Sequence, residues 1–69
     1  MTPKTKARLK VIGNDLKEKR LNLGLTREEV ANAIETSAPN IQKLELGLNN
    51  NYILIKDMYD YYDLLEDKK

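Results

Sequence analysis

The sequence predicts an all-α fold, a compact bundle of four or five helices in one domain of 69 residues. Apolar residues recur at spacings of three and four along successive segments, which is the periodicity of amphipathic helices. Glycines and helix-capping residues separate these segments at short intervals. Because the chain has no Cys and no His, neither disulfides nor zinc can stabilise it. Tight helix packing must therefore hold this small domain together.

The first helix is predicted to begin at Thr2 and Pro3, because Thr is a good N-cap and Pro is favoured at the first helical position. Gly24 predicts its end. Gly13 lies inside the helix, where Gly costs about 1 kcal/mol relative to Ala, and we interpret it as a point of close approach by a neighbouring helix. The apolar spacing gives this helix an inward face made of Leu9, Ile12, Leu16, Arg20 and Leu23.

The second helix is predicted from a capping box, in which Thr26 caps the first turn and Glu29 reaches back to it. Its buried stripe is predicted to be Val30, Ala31 and Ile34. A turn at Glu35 and Thr36 follows, so two short helices flank a tight turn.

The third helix is predicted to be capped by Ser37, to carry Pro39 in its first turn and to end at Gly47. Its inward residues are Ile41 and Leu44. After a polar loop, a fourth helix is predicted from Tyr52 to about Leu65, with an apolar face made of Ile55, Met58, Tyr59, Tyr62 and Leu65. The tyrosines Tyr59, Tyr61 and Tyr62 are interpreted as core or dimer packing rather than as a surface that stacks on bases.

The net charge of +1 hides an asymmetry along the chain. Residues 1–20 carry +5, whereas residues 21–47 and residues 48–69 each carry −2. The basic side chains Lys4, Lys6, Arg8 and Lys10 are either a phosphate-binding arm or a solvated helix face, and the sequence favours neither. The net charge alone does not indicate a nucleic-acid binder.

Composition makes several classes of protein improbable. Without His or Cys, most nucleophilic triads and zinc sites are excluded, the carboxylates are scattered, and we expect no enzyme, cofactor or metal. No apolar run approaches a membrane span, and the N-terminus has no apolar core of a secretory signal, so we expect a protein that is neither membrane-bound nor secreted.

A family resemblance rests on several motifs together. Residues 19–26 read KRLNLGLT, and IG at 12–13, EEVA at 28–31, Ile41 and ELG at 45–47 surround them. In combination they resemble the Cro/C1-type (lambda-repressor-like, XRE) helix-turn-helix family over about residues 9–62. The resemblance implies a small transcriptional regulator, a repressor or antirepressor, in the cytoplasm of a bacterium or a phage-infected host.

The resemblance also implies roles for particular residues. The scanning helix corresponds to about residues 27–34 and the recognition helix to about residues 38–45. Arg27 matches a phosphate-contacting position, and Arg20 matches an arginine that pairs with the glutamate equivalent to Glu45. The DNA-binding positions implied are Arg27, Ser37, Ala38, Asn40, Gln42, Lys43 and Asn49. Gln and Lys suit adenine and guanine readout respectively.

The chain departs from the family pattern in ways that bear on DNA binding. Glu35 stands where the inter-helix turn often has Gly, and Pro39 removes a backbone donor near the DNA side. Neutral Asn49, Asn50 and Asn51 replace a loop that is often basic, and neutral side chains release no counterions. Tyr59 replaces a small residue, and the fifth, dimerising helix is missing or reduced to the last few residues.

Two functional classes therefore remain open. The first is a sequence-specific regulator that binds double-stranded operator DNA as a dimer. The second is an antirepressor or antitoxin-type module that keeps the helix-turn-helix fold and uses its acidic, tyrosine-rich C-terminal part to bind a basic repressor, or holds a toxin.

Overall fold

The computed structural model describes residues 3–67 and contains four α-helices there, with no strand. They are α1 (Pro3–Asn22), α2 (Arg27–Ala33), α3 (Ala38–Glu45) and α4 (Tyr52–Asp67). The radius of gyration is 11.6 Å, close to the value of about 11 Å typical of a compact chain of this length. The predicted all-α bundle is confirmed with four helices, and no fifth helix forms within the described residues. The predicted N-cap Thr2 lies outside them.

All four helices contribute to one apolar core. Most of the predicted inward residues are buried, and several of them have no exposed surface, namely Leu16, Val30, Ile41, Met58 and Tyr62. Ile12, Leu23, Ile34 and Tyr59 pack at the edge of this core. The spacing of apolar residues therefore placed the inward face of each helix correctly, except that Leu65 of α4 is half-buried and is not part of this core. The buried core consists of Leu9, Leu16, Val30, Ala31, Ile41, Leu44, Ile55, Met58 and Tyr62.

Gly13 lies where α1 and α3 cross. A Cβ atom at this position would overlap the carbonyl oxygen of Leu44 and would come within 2.5 Å of the carbonyl oxygen of Glu45. Only a residue without a side chain lets the backbones of the two helices approach so closely. The interpretation of Gly13 as a point of helix contact is confirmed. Through this contact the C-terminal turn of α3 packs on the middle of α1.

Gly47 holds the end of α3 against the same side of α1, about one turn before Gly13. Its φ angle is 75°, a left-handed conformation that favours Gly. A Cβ atom here would lie 2.8 Å from the backbone nitrogen of Lys10. The backbone N–H of Leu48 donates a hydrogen bond to Lys43 O at 2.9 Å, which closes the helix end.

Hydrogen bonds join α4 to its preceding loop and to α1. Asn51 Oδ1 accepts a hydrogen bond from the backbone N–H of Leu54 at 3.3 Å and thereby caps the first turn of α4. The hydroxyl of Tyr59 donates to Asp15 Oδ2 at 2.8 Å. Burial, aided by that hydrogen bond, raises the pKa of Tyr59 to about 12. The hydroxyl of Tyr62, by contrast, is buried and has no hydrogen-bond partner among the described residues.

Candidate nucleic-acid interface

The helix pair α2–α3 begins at a complete capping box. Thr26 Oγ1 accepts a hydrogen bond from the backbone N–H of Glu29 at 3.1 Å, and the backbone N–H of Thr26 donates to Glu29 Oε1 at 3.2 Å. These two bonds satisfy donors that a helix of seven residues would otherwise leave to solvent. The predicted start of α2 is confirmed, and α2 ends at Ala33, one residue before the predicted limit.

The turn between α2 and α3 is tight and strained at one residue. Glu35 has a φ angle of 60°, a left-handed conformation that costs a side-chain-bearing residue about 1–2 kcal/mol. The next residue closes the turn, because the backbone N–H of Thr36 donates to Ala31 O at 2.8 Å. Glu35 is thus the position where glycine would fit best, as the family pattern suggested.

The start of α3 corrects one expectation. Ser37 has the extended backbone of an N-cap residue, but its side chain makes no capping hydrogen bond. Pro39 at the second helical position has no N–H to offer. The next backbone N–H, that of Asn40, donates to Ser37 O at 3.0 Å instead. The hydroxyl of Ser37 is exposed and remains available to a ligand.

The end of α3 is fixed by a buried carboxylate that two arginines share. Glu45 Oε2 accepts from Arg20 Nε at 2.7 Å, and Glu45 Oε1 accepts from Arg27 Nε at 3.1 Å. Arg20 Nη2 also donates to Glu45 Oε1 at 3.4 Å, and Arg20 Nη1 donates to Leu25 O at 2.9 Å. The Glu45 side chain is only 1% exposed and that of Arg20 8% exposed. The expected Arg20–Glu45 pair is confirmed, and it connects α1 to α3.

Arg27 has two environments at once. Its Nε is bound to Glu45, yet its side chain is 39% exposed. The two terminal nitrogens make no hydrogen bond to a described residue and are therefore free to bind an external anion. Arg27 is the predicted phosphate contact, and the structure orients it through Glu45. Two arginines around one carboxylate leave one positive charge in this cluster, and Glu28, which lines the neighbouring pocket, offsets it.

A pocket of about 500 Å³ lies between the N-terminal turns of α2 and α3. It brings three of the predicted DNA-binding residues together, namely Arg27, Ala38 and Gln42. Gln42 and Lys43 are exposed on α3, and their side chains form no hydrogen bond or ion pair within residues 3–67. An amide and an ammonium group without internal partners retain their full hydrogen-bonding capacity for a ligand.

Asn40 and Asn49 are placed differently from the other predicted residues. Asn40 is half-buried, and its Nδ2 donates to Thr36 Oγ1 at 3.0 Å, so its amide supports the turn. Asn49 lies beyond the C-terminus of α3, where its Oδ1 accepts from the backbone N–H of Asn51 at 2.9 Å. Neither residue lines the pocket that contains Arg27, Ala38 and Gln42. The Asn40 side chain thus bonds a neighbouring hydroxyl, and the Asn49 side chain bonds the local backbone.

Two of these contacts escaped the sequence analysis. The Arg27–Glu45 pair spans 18 positions, and no local pattern indicates which arginine a distant glutamate will bind. The Asn40–Thr36 bond joins the first turn of α3 to the turn before it, and the helix-surface spacing rule does not indicate it because Thr36 lies outside the helix.

A second, acidic surface lies where α2 ends against α4. Glu35, Asp57 and Asp60 line a shallow pocket of about 320 Å³ together with Ala33, Ile34 and Tyr61. Within residues 3–67, the ion pairs are those of Glu45 with Arg20 and Arg27, so these three carboxylates are unpaired there. Such a surface attracts a basic partner and repels phosphate.

Comparisons with known proteins found no match among protein-family models, curated proteins or solved structures. In the described part of the chain, no group of three or more acidic residues is placed to hold a metal ion. None of the helices there is long and apolar enough to cross a lipid bilayer.

Proposed function

We propose that this chain is a sequence-specific DNA-binding transcriptional regulator of the Cro/repressor type, with α2 as its scanning helix and α3 as its recognition helix. The observation that carries the proposal is that α3 is held firmly while two of its side chains, Gln42 and Lys43, are exposed and have no partner within residues 3–67. A helix must be held firmly if its side chains are to reach base edges in a fixed register. The buried Arg20–Glu45 ion pair and the backbone contact at Gly13 provide that support by joining α3 to α1.

The chemistry of the exposed face suits the major groove. Gln42 can bond adenine at two atoms, Lys43 can donate to guanine, and the methyl group of Ala38 can contact the methyl group of thymine. Each good base contact contributes about 1–3 kcal/mol of discrimination. The exposed hydroxyl of Ser37 can bond either a base or a phosphate.

Arg27 supplies the phosphate contact in this proposal. Its Nε is bound to Glu45, which fixes the orientation of the guanidinium plane before DNA arrives. The two terminal nitrogens then suit a phosphate, whose oxygens accept parallel hydrogen bonds from such a fork. Binding positions the protein on the duplex, and repression follows because the occupied operator excludes RNA polymerase.

Selection of bound duplexes from a random DNA pool, repeated at two salt concentrations, tests the proposal. We expect an enriched inverted repeat with half-sites about one helical turn apart, and a loss of affinity as salt rises. The Arg27→Ala variant should lower the slope of log affinity against log salt by about one phosphate contact per subunit. Recovery of no enriched sequence would contradict the proposal.

The acidic surface favours a second candidate, a protein-binding module that binds a basic repressor or a toxin. Its supporting observation is the set of unpaired carboxylates Glu35, Asp57 and Asp60 around one shallow pocket. In that case a basic helix-turn-helix repressor from the same source would bind the chain, and Asp57→Lys with Asp60→Lys would abolish the complex. The Gln42→Ala variant would leave such a complex unchanged.

A further inference from the structure

The N-terminal half of α1 carries a shallow apolar groove of about 360 Å³, which we call the α1 groove. Val11 is 71% exposed, and one and two helical turns before it lie two cations, Arg8 and Lys4. The groove therefore has an apolar centre and a positively charged rim. All its lining residues belong to α1, and they are Lys4, Ala7, Arg8, Val11 and Ile12.

The outward side of α4 has the opposite character. Leu64 is 53% exposed, and Asp60 and Asp67 lie one helical turn before and after it. Residues four and three positions apart are neighbours on a helix surface, so these three form one stripe, which we call the α4 stripe. Neither aspartate forms an ion pair with a described residue. The α4 stripe thus has an apolar centre and a negatively charged rim.

The charge balance of the two helices extends this complementarity. Between residues 3 and 14, α1 carries four basic side chains and no acidic one. Between residues 57 and 67, α4 carries five acidic side chains and no basic one. A basic helix with an exposed valine fits an acidic helix with an exposed leucine better than it fits DNA, because phosphates would leave the valine in water.

We propose that the α1 groove binds the α4 stripe of a second copy of this chain. Val11 packs on Leu64, while Lys4 and Arg8 pair with Asp60 and Asp67. In the proposed dimer a two-fold axis places the groove of each copy against the stripe of the other, so that two such contacts close the assembly. The assembly forms without DNA, so its test is separate from that of the proposed DNA binding.

Sedimentation velocity without DNA, over a range of protein concentrations and at two salt concentrations, tests this interface. One variant reverses the charge of the α1 groove (Lys4→Glu with Arg8→Glu), and the other reverses the charge of the α4 stripe (Asp60→Lys with Asp67→Lys). Each alone should raise the dimer dissociation constant at least about tenfold, because attraction becomes repulsion at both contacts. An equimolar mixture should form a heterodimer, because both of its contacts are then complementary again. Val11→Ser should weaken dimerisation without changing charge.

Thermal melting of each variant by circular dichroism checks that the fold is retained, which we expect because all the charged positions are exposed. The proposal is overturned by a wild-type chain that stays monomeric at low salt. It is equally overturned by variants that dimerise like the wild type, or by a mixture that stays monomeric. Weaker DNA binding with unchanged dimerisation in the groove variant would assign Lys4 and Arg8 to phosphate instead.

Discussion

The two ends of the core are held by different means. Beneath α3, the helices are joined by a shared buried carboxylate and by a backbone contact at Gly13. Where α4 meets α1, the contact is mainly apolar, with one hydrogen bond from Tyr59 to Asp15. Directional bonds and close backbone contact tolerate little displacement, whereas apolar side chains can adjust to one another.

This difference matches the use that we propose for each region. A recognition helix that is displaced by a small distance loses its hydrogen bonds to bases, so α3 needs the stricter support. The outer surface of α4 needs only to present its carboxylates and the exposed Leu64. Substitutions beneath α3 should therefore cost more stability than substitutions at the α1–α4 contact, and the following predictions test that order.

The largest effect is expected at Glu45. Glu45→Ala leaves the guanidinium of Arg20 buried without its counter-charge, which should cost about 3–5 kcal/mol in the free energy of unfolding. Urea denaturation measures this cost. Glu66→Ala, which removes an exposed glutamate from α4, is the matched control and should change stability by less than about 0.5 kcal/mol. Equal stability of the two variants would refute the structural role of the buried pair.

The second largest loss of stability is expected at Gly13. Gly13→Ala places a methyl group against the carbonyl oxygens of Leu44 and Glu45, and such overpacking should cost about 1–3 kcal/mol despite the better helix propensity of Ala. Asn14→Ala, at an exposed position of the same helix, should be neutral or slightly stabilising. A Gly13→Ala variant that is more stable than wild type in urea would show that the two backbones are further apart than described.

Two tyrosines of α4 give a matched pair at the other end of the core. Tyr59→Phe removes the hydrogen bond to Asp15 and should cost about 0.5–1.5 kcal/mol. Tyr62→Phe removes a buried hydroxyl that has no partner in the described part of the chain, so it should be neutral or stabilising. Urea denaturation of both variants measures the difference, and the reverse order would contradict the assigned contacts.

The contribution of Tyr59 should also depend on pH. Its folded pKa of about 12 is above the ordinary tyrosine value of 10.0, so folding favours the protonated hydroxyl. The resulting stabilisation is complete below about pH 10 and is lost as the pH rises towards 12. The difference in melting temperature between wild type and Tyr59→Phe should therefore shrink across this interval. A difference that grows with pH would contradict the sign.

The smallest effect is expected in the turn between α2 and α3. Glu35→Gly relieves the left-handed strain at φ 60°, and it should stabilise the fold by less than about 1 kcal/mol, because Gly also gives the unfolded chain more freedom. Glu35→Ala keeps the strain and serves as the control. Thermal melting should rank the Gly variant above the Ala variant, and the opposite ranking would show that the relief of strain is smaller than the entropy that Gly adds to the unfolded chain.

The sequence was sufficient for local features and insufficient for most contacts between distant side chains. Helix periodicity, the Thr26 capping box and the contact at Gly13 follow from residue type and spacing, and the structure has all three. The family resemblance supplied the Arg20–Glu45 pair. The missing cap at Ser37 had a signal in Pro39, which removes the nearest N–H. The bonds from Arg27 to Glu45 and from Tyr59 to Asp15 depend on how helices cross, which no short pattern encodes.

The central claim is that the outer face of α3 reads DNA sequence. Its most direct test is fluorescence anisotropy on the selected duplex and on a scrambled duplex, for wild type and for Gln42→Ala with Lys43→Ala. The control is Asn14→Ala with Lys17→Ala, which removes one amide and one charge from exposed positions of α1. We predict that the α3 variant loses about tenfold or more of its discrimination between the duplexes, while the control discriminates like wild type. Unchanged discrimination in the α3 variant would contradict the claim.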